Sequence, residues 1–156
     1  MTHDTTLELD DRVPLLRITR DFDTTPDRLH RAWADPELVR RWLGPNDVTM
    51  EIERYDCTTG GAYRYVHRRG DEEYWFHGSF HEVRPGELIV QTFTWEGMPD
   101  AVALEKMRFT DLGDGRTRLV STSLADSFED RDAMVANGME NGIRDSFTKL
   151  DSVLAS

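Results

Sequence analysis

Cysteine is nearly absent from this sequence. Cys57 stands alone, so no disulfide within the chain can hold the fold. No Cys/His cluster has zinc-site spacing, and no metal or cofactor is expected. Long apolar runs are missing too; none approaches the ~18 residues of a membrane-spanning helix. The opening residues carry His3, Asp4, Glu8, Asp10 and Asp11 without an apolar stretch, unlike a signal peptide. A cytoplasmic protein is the expectation. Positive charge is in deficit: 19 Lys and Arg face 30 Asp and Glu, a net charge of −11. A field of that sign repels nucleic acid and anionic membranes, so neither is expected as a partner. The usual catalytic signatures are also lacking. Ser79, Ser121 and Ser123 sit in no Gly-x-Ser-x-Gly elbow. Gly60-Gly61 is not followed by the Lys-Ser/Thr of a phosphate loop. Asp111 and Asp114 do not spell a calcium loop.

What is present is a globular chain. Hydrophobic residues make up 38% and charged residues 31%, which a disordered chain would not combine. Residues 1–13 are read as a frayed, acidic, disordered tail and residues 14–156 as a single domain. Leu15–Phe22 is expected as the first strand, and Thr24-Thr25-Pro26-Asp27 as a helix start. Asp35-Pro36-Glu37 repeats that start, and Gly44-Pro45 stops the second short helix. From Val48 to Leu124 the hydrophobic period is two. Turn signals at Gly60-Gly61, Arg69-Gly70-Asp71, Arg84-Pro85-Gly86, Gly97-Met98-Pro99-Asp100 and Gly113-Asp114-Gly115 cut this stretch into six strands. Such short turns require antiparallel neighbours. Ser127-Phe128-Glu129-Asp130 resembles a capping box, and the rest is expected as one long helix. Val135, Met139, Ile143, Phe147, Leu150 and Leu154 form its apolar stripe.

This order is that of the START/SRPBCC superfamily, and the local motifs resemble one branch of it. Asp35-Pro36-Glu37 with Arg41-Trp42-Leu43-Gly44-Pro45 looks like the branch's helix pair. Asp56 before Gly60-Gly61 is similar to its turn; Gly78, Glu82-Val83-Arg84-Pro85 and Leu88 resemble its hairpin; Gly115, Thr117 and Leu119 resemble the entry to its last strand. The branch is the activator of heat-shock-protein-90 ATPase homologue (AHSA1-like) family. It implies an α+β helix-grip fold: a curved antiparallel sheet around a long C-terminal helix, with an apolar cavity between them. It also implies a small hydrophobic or amphipathic ligand such as a lipid, polyketide or other aromatic compound, bound without catalysis. A polyketide cyclase/dehydratase-like enzyme in the same cavity is one alternative. A chaperone-interacting module with a role in stress response is another. For the latter, the separate N-terminal chaperone-binding domain of the family's eukaryotic co-chaperones has no counterpart before Leu15. A homodimer stays open.

The candidate ligand-binding residues follow from strand and helix parity. Tyr63, Tyr65 and His67 share one face of a strand, with Phe76 and Phe93 as the best candidates from the neighbouring strands. Met139, Ile143 and Phe147 would close the cavity from the helix. Gly138, Gly142 and Ser146 recur at i, i+4 and i+8 beside that stripe; small residues there leave room for a ligand or for close packing. His30 is expected at the surface. His77 and His81 would lie about 13 Å apart on one strand face, too far for one metal ion. Asp56, Glu82 and Glu105 are the acidic candidates, with Asp56 assigned to turn capping.

Overall fold

The computed structural model describes residues 3–156. Eight strands form one antiparallel sheet. They are β1 (Thr6–Leu9), β2 (Leu15–Phe22), β3 (Thr49–Tyr55), β4 (Ala62–Arg69), β5 (Glu72–Arg84), β6 (Leu88–Trp95), β7 (Ala103–Gly113) and β8 (Arg116–Leu124). Their order across the sheet is β1-β2-β8-β7-β6-β5-β4-β3. β2 therefore lies beside the last strand, and only that neighbour requires a long-range pairing. Four helices are packed with the sheet: α1 (Pro26–Ala34), α2 (Pro36–Trp42), α3 (Phe128–Ala136) and α4 (Met139–Ala155). This is the α+β arrangement expected of the helix-grip fold.

The helix starts follow their capping chemistry. Thr25 Oγ1 accepts from the Arg28 N–H, and Pro26 occupies the first turn of α1. Asp35 does two jobs. Its backbone N–H donates to Arg31 O and ends α1, while its carboxylate accepts from the Glu37 N–H at 3.0 Å and starts α2. Trp42 then locks the pair, its indole N–H donating to Ala32 O at 2.9 Å. The α1–α2 corner is thus fixed before the sheet is met.

Two segments differ from expectation. Thr6–Leu9, expected in the disordered tail, is a strand paired with β2 from Thr6↔Thr19 to Leu9↔Leu16. Leu7 packs on the core. The buried Arg131 guanidinium donates to the carbonyls of Asp10, Val13 and Leu15, tying the β1–β2 turn to α3. The C-terminal helix, expected as one piece, is two. Gly138 has φ +86, a left-handed conformation that glycine adopts freely and that ends a helix. α3 stops before it, with the Asn137 N–H donating to Ala133 O, and α4 begins after it. Among the described residues no helix is long and apolar enough to cross a membrane.

The core lies between the concave face of the sheet and the helices. Leu16, Ile18 and Phe22 from β2, Met107 and Phe109 from β7, Leu119 from β8, Leu29 and Trp42 from α1 and α2, and Phe147 and Leu150 from α4 form one buried cluster.

Candidate functional site

Register decides which side chains share the concave face. β4 pairs with β5 without interruption from Ala62↔Ser79 to Arg69↔Glu72. Tyr65 therefore stands opposite Phe76, and Tyr63 opposite Gly78. The rings touch in sequence. Centroids are 5.9 Å apart for Tyr63–Tyr65, 5.1 Å for Tyr65–His67, 5.3 Å for Tyr65–Phe76 and 5.3 Å for Phe76–Phe93. The structure thus brings Tyr63, Tyr65, His67, Phe76 and Phe93 together as one aromatic wall. Met139 and Ile143 are half-buried against the same core, and Phe147 is buried in it.

The hydroxyls on this wall have different fates. Tyr55 donates to Trp33 O and Tyr63 to Thr92 O, each at 2.7 Å. Tyr65 is 5% exposed as a residue. Its hydroxyl makes no hydrogen bond among the described residues, yet it is not among the polar atoms sealed from solvent. Of the three phenols named here, Tyr65 alone has no protein partner among the described residues.

Beside Tyr65, strand pairing aligns Leu16, Ser123, Glu105, Gln91 and Phe80 as successive partners on β2, β8, β7, β6 and β5; the three central members form a polar row. Gln91 Nε2 donates to Glu105 Oε1 at 3.0 Å. Burial raises the Glu105 carboxyl above its ordinary range, with Gln91 and Ser123 pulling against the rise. Ser123 Oγ completes no well-formed hydrogen bond and is sealed from solvent. Burial also raises the Tyr65 phenol, and the negative charge of Glu105 adds to the effect.

His67 marks the other end of the wall. It is 8% exposed and its Nε2 has no partner. Burial pushes its imidazole down to about 4, and the charge of Lys149 acts in the same direction. The loop after α2 seats directly on the ring. A Cβ on Gly44 would fall 2.9 Å from His67 Nε2, and Gly44 has φ +110, so this approach requires glycine.

The same loop accounts for the small residues of α4. Ser146 Oγ accepts from the Gly44 N–H at 2.8 Å and lies 2.8 Å from Gly142 O and 3.2 Å from Gly44 O. A Cβ on Gly142 would meet only Pro45, at 3.9 Å. Gly142 and Ser146 therefore face the α2–β3 loop rather than the aromatic wall. Gly138 serves the helix break.

Other sequence candidates lie elsewhere. His30, expected at the surface, is buried with its ring 5.9 Å from Phe109. The short α1 presses it against β7, where desolvation lowers its pKa. His77 and His81 are exposed, and His77 Nδ1 lies 2.8 Å from Glu96 on the outer face. Burial pushes the Cys57 thiol up to about 12, so it carries little thiolate at neutral pH. Two recesses lie on the outside: about 330 Å³ by Met98–Ala101, Asp126 and Asp130, and about 230 Å³ between Arg28, Arg31, Arg41 and Val153–Leu154. Neither contains a residue of the aromatic wall or the polar row. Among the described residues no group of three or more His, Cys, Asp or Glu side chains is placed to hold a metal ion.

The family model described as activator of Hsp90 ATPase homolog 1-like protein matches residues 23–155. The chain belongs to this family. No curated protein matches the chain in sequence. Solved structures share the fold of this Hsp90 ATPase activator homolog 1-like chain at low identity. A crystal structure of a Rhodobacter sphaeroides protein has TM-score 0.89 at 21% identity, covering 97% of this chain and 99% of that one. A solution structure of an Arthrobacter aurescens protein has TM-score 0.87 at 24%, covering 96% and 91%. A Mycobacterium smegmatis protein has TM-score 0.85 at 23%, covering 97% and 98%.

In this member of the family, sequence reasoning passed over Gln91 and left Glu105 and Ser123 without a role. Only parity with Phe93 on β6 and Met107 on β7 could have turned Gln91 and Glu105 inward.

The buried imidazole sets a pH dependence. The unfolded chain protonates His67 near pH 6.5, and the folded chain only near pH 4. Between those values the unfolded state binds more protons, so stability falls as pH drops from about 6.5 to about 4. Denaturant titrations of parent and His67→Gln across this window are expected to diverge by roughly 2–3 kcal/mol at the acid end, the parent losing more. Parallel curves would show that His67 is accessible to protons in the folded state.

Proposed function

We propose that this chain binds a small amphipathic molecule against the concave face of its sheet, without catalysis. The observation that carries the reading is the free Tyr65 hydroxyl inside a wall of Tyr63, Phe76 and Phe93. An aromatic wall with one convergent set of polar groups is what a small-molecule site requires. Family membership supports a ligand-binding or activator-like role at that coarser level. The test is calorimetric titration with 2-naphthol, together with native mass spectrometry of freshly purified protein. Saturable binding is expected, weakened at least twofold in Tyr65→Phe, since one hydrogen bond contributes about 0.5–1.5 kcal/mol. No saturable binding by the parent would sink the reading.

A second reading, a cyclase/dehydratase-like enzyme, draws on Glu105 and His67. Burial disfavours the charged form of each, raising the Glu105 carboxyl and lowering the His67 imidazole, which makes the two candidates for proton donor and acceptor. Turnover of a hydroxylated polyketide lost in both His67→Gln and Glu105→Gln would favour it. A chaperone-interacting module would instead use outward apolar residues such as Leu104 and its strand partner Leu124, which are 37% and 36% exposed.

A further inference from the structure

The binding reading leaves open what kind of molecule the proposed site accepts, and the polar row bears on that. Glu105 sits at its centre. One carboxyl oxygen accepts from Gln91. The other makes no hydrogen bond among the described residues and is not sealed from solvent. Ser123 on β8 is 6% exposed with an unpartnered Oγ. Among the described residues no arginine or lysine is hydrogen-bonded or ion-paired to Glu105. Arg20, the buried cation of the same face, is held by Asp151 at 2.6 Å, and Lys149 lies on the His67 side. The strand partners of the acidic Glu105 are Gln91 and Ser123, both neutral.

Resting on the binding reading, we infer that Glu105 makes the proposed site selective for an uncharged aromatic ligand that donates a hydrogen bond, such as a phenol or alcohol, and selective against carboxylates. Two carboxyl groups in one desolvated site cannot both ionise. A bound acid would have to share a proton with Glu105 or repel it. A hydroxyl ligand has no such conflict. It can donate to the free carboxyl oxygen and accept from Ser123 or Tyr65, which satisfies buried groups that are costly to leave unpaired. The flat wall of Tyr65, Phe76 and Phe93 suits an aromatic body.

The test compares 2-naphthol with 2-naphthoate at pH 8 by titration calorimetry, in the parent, Glu105→Gln and Glu105→Leu. Glutamine keeps the shape without charge, and leucine removes both charge and polarity, so two variants of different chemistry guard against one that fails to fold. The parent is expected to bind naphthol at least tenfold more tightly than naphthoate. Both variants should narrow that ratio at least fivefold through a gain in naphthoate binding. Equal affinities in the parent, or a ratio unchanged in the variants, would overturn the role of Glu105 while leaving the binding reading standing. A parent that binds neither probe would overturn both.

Discussion

Phe147→Ala is expected to cost about 3–5 kcal/mol of stability in a denaturant titration. The ring is 6% exposed. It meets Phe22 of β2 edge-on at 5.3 Å and Trp33 of α1 at 6.4 Å. It therefore joins the sheet, the first helix and α4 at one point. Phe22 is completely buried, so its side of the void cannot be refilled by solvent. Trp33 is in turn 4.6 Å from Trp42, whose indole is hydrogen-bonded to Ala32 O. Neighbours held this way relax little, and the cost of a void grows with the volume left unfilled. Phe147→Leu leaves a smaller void and should lose less. A loss below about 1 kcal/mol for the alanine variant would mean that α4 does not rest on this face through Phe147.

The apolar stripe that names Phe147 was legible in the sequence, and the reason is local. Helical spacing from Met139 to Leu154 and the two-residue period from Val48 to Leu124 each declare a buried face without reference to the rest of the chain. Six strands followed from that; β2 followed from its β-branched and aromatic run, and the two short helices from their cap residues. β1 did not, because four residues on a sheet edge are held by pairing with β2 and by the Arg131 clamp, both distant in sequence. The helix break at Gly138 had a signal in Asn137-Gly138, but a glycine in an apolar repeat reads equally well as a close-packing position. At the candidate site, the aromatic wall was legible because β4 and β5 pair without a bulge, so parity carries from Tyr63 to Phe76. The register shift on β5 comes later, between Phe80 and Glu82. The polar row was less legible. Gln91, Glu105 and Ser123 are polar residues at positions where the two-residue period expects apolar side chains, and only strand pairing across β6, β7 and β8 aligns them.

Asp151→Ala is expected to cost about 3 kcal/mol, from a pair that local patterning also conceals. Arg20 shares strand parity with Leu16, Ile18 and Phe22 and points into the core. Its side chain is 2% exposed. Asp151 on α4 grips both terminal nitrogens, at 2.8 and 2.6 Å. The remaining contacts are a 3.3 Å bond to Asp21 O and the faces of Phe22 and Phe147, 4.6 and 5.8 Å from the guanidinium carbon; Nε has no partner. Removing Asp151 leaves a buried cation with one carbonyl and the rings of Phe22 and Phe147. Breaking such a pair costs about 3–5 kcal/mol when both partners are enclosed. Asp151 keeps 32% of its side-chain surface, so water can reach the vacated end, and the lower bound applies. High salt should change the loss little, because the guanidinium itself is shielded from ions. The double variant Arg20→Met, Asp151→Ala separates the cost of an orphaned charge from the worth of the bridge. Methionine fills the same channel without charge, so the double variant should regain most of the loss and fall within about 1 kcal/mol of the parent. Additive losses in that cycle would show that Arg20 stabilises β2 by packing on Phe22 and Phe147, with Asp151 incidental.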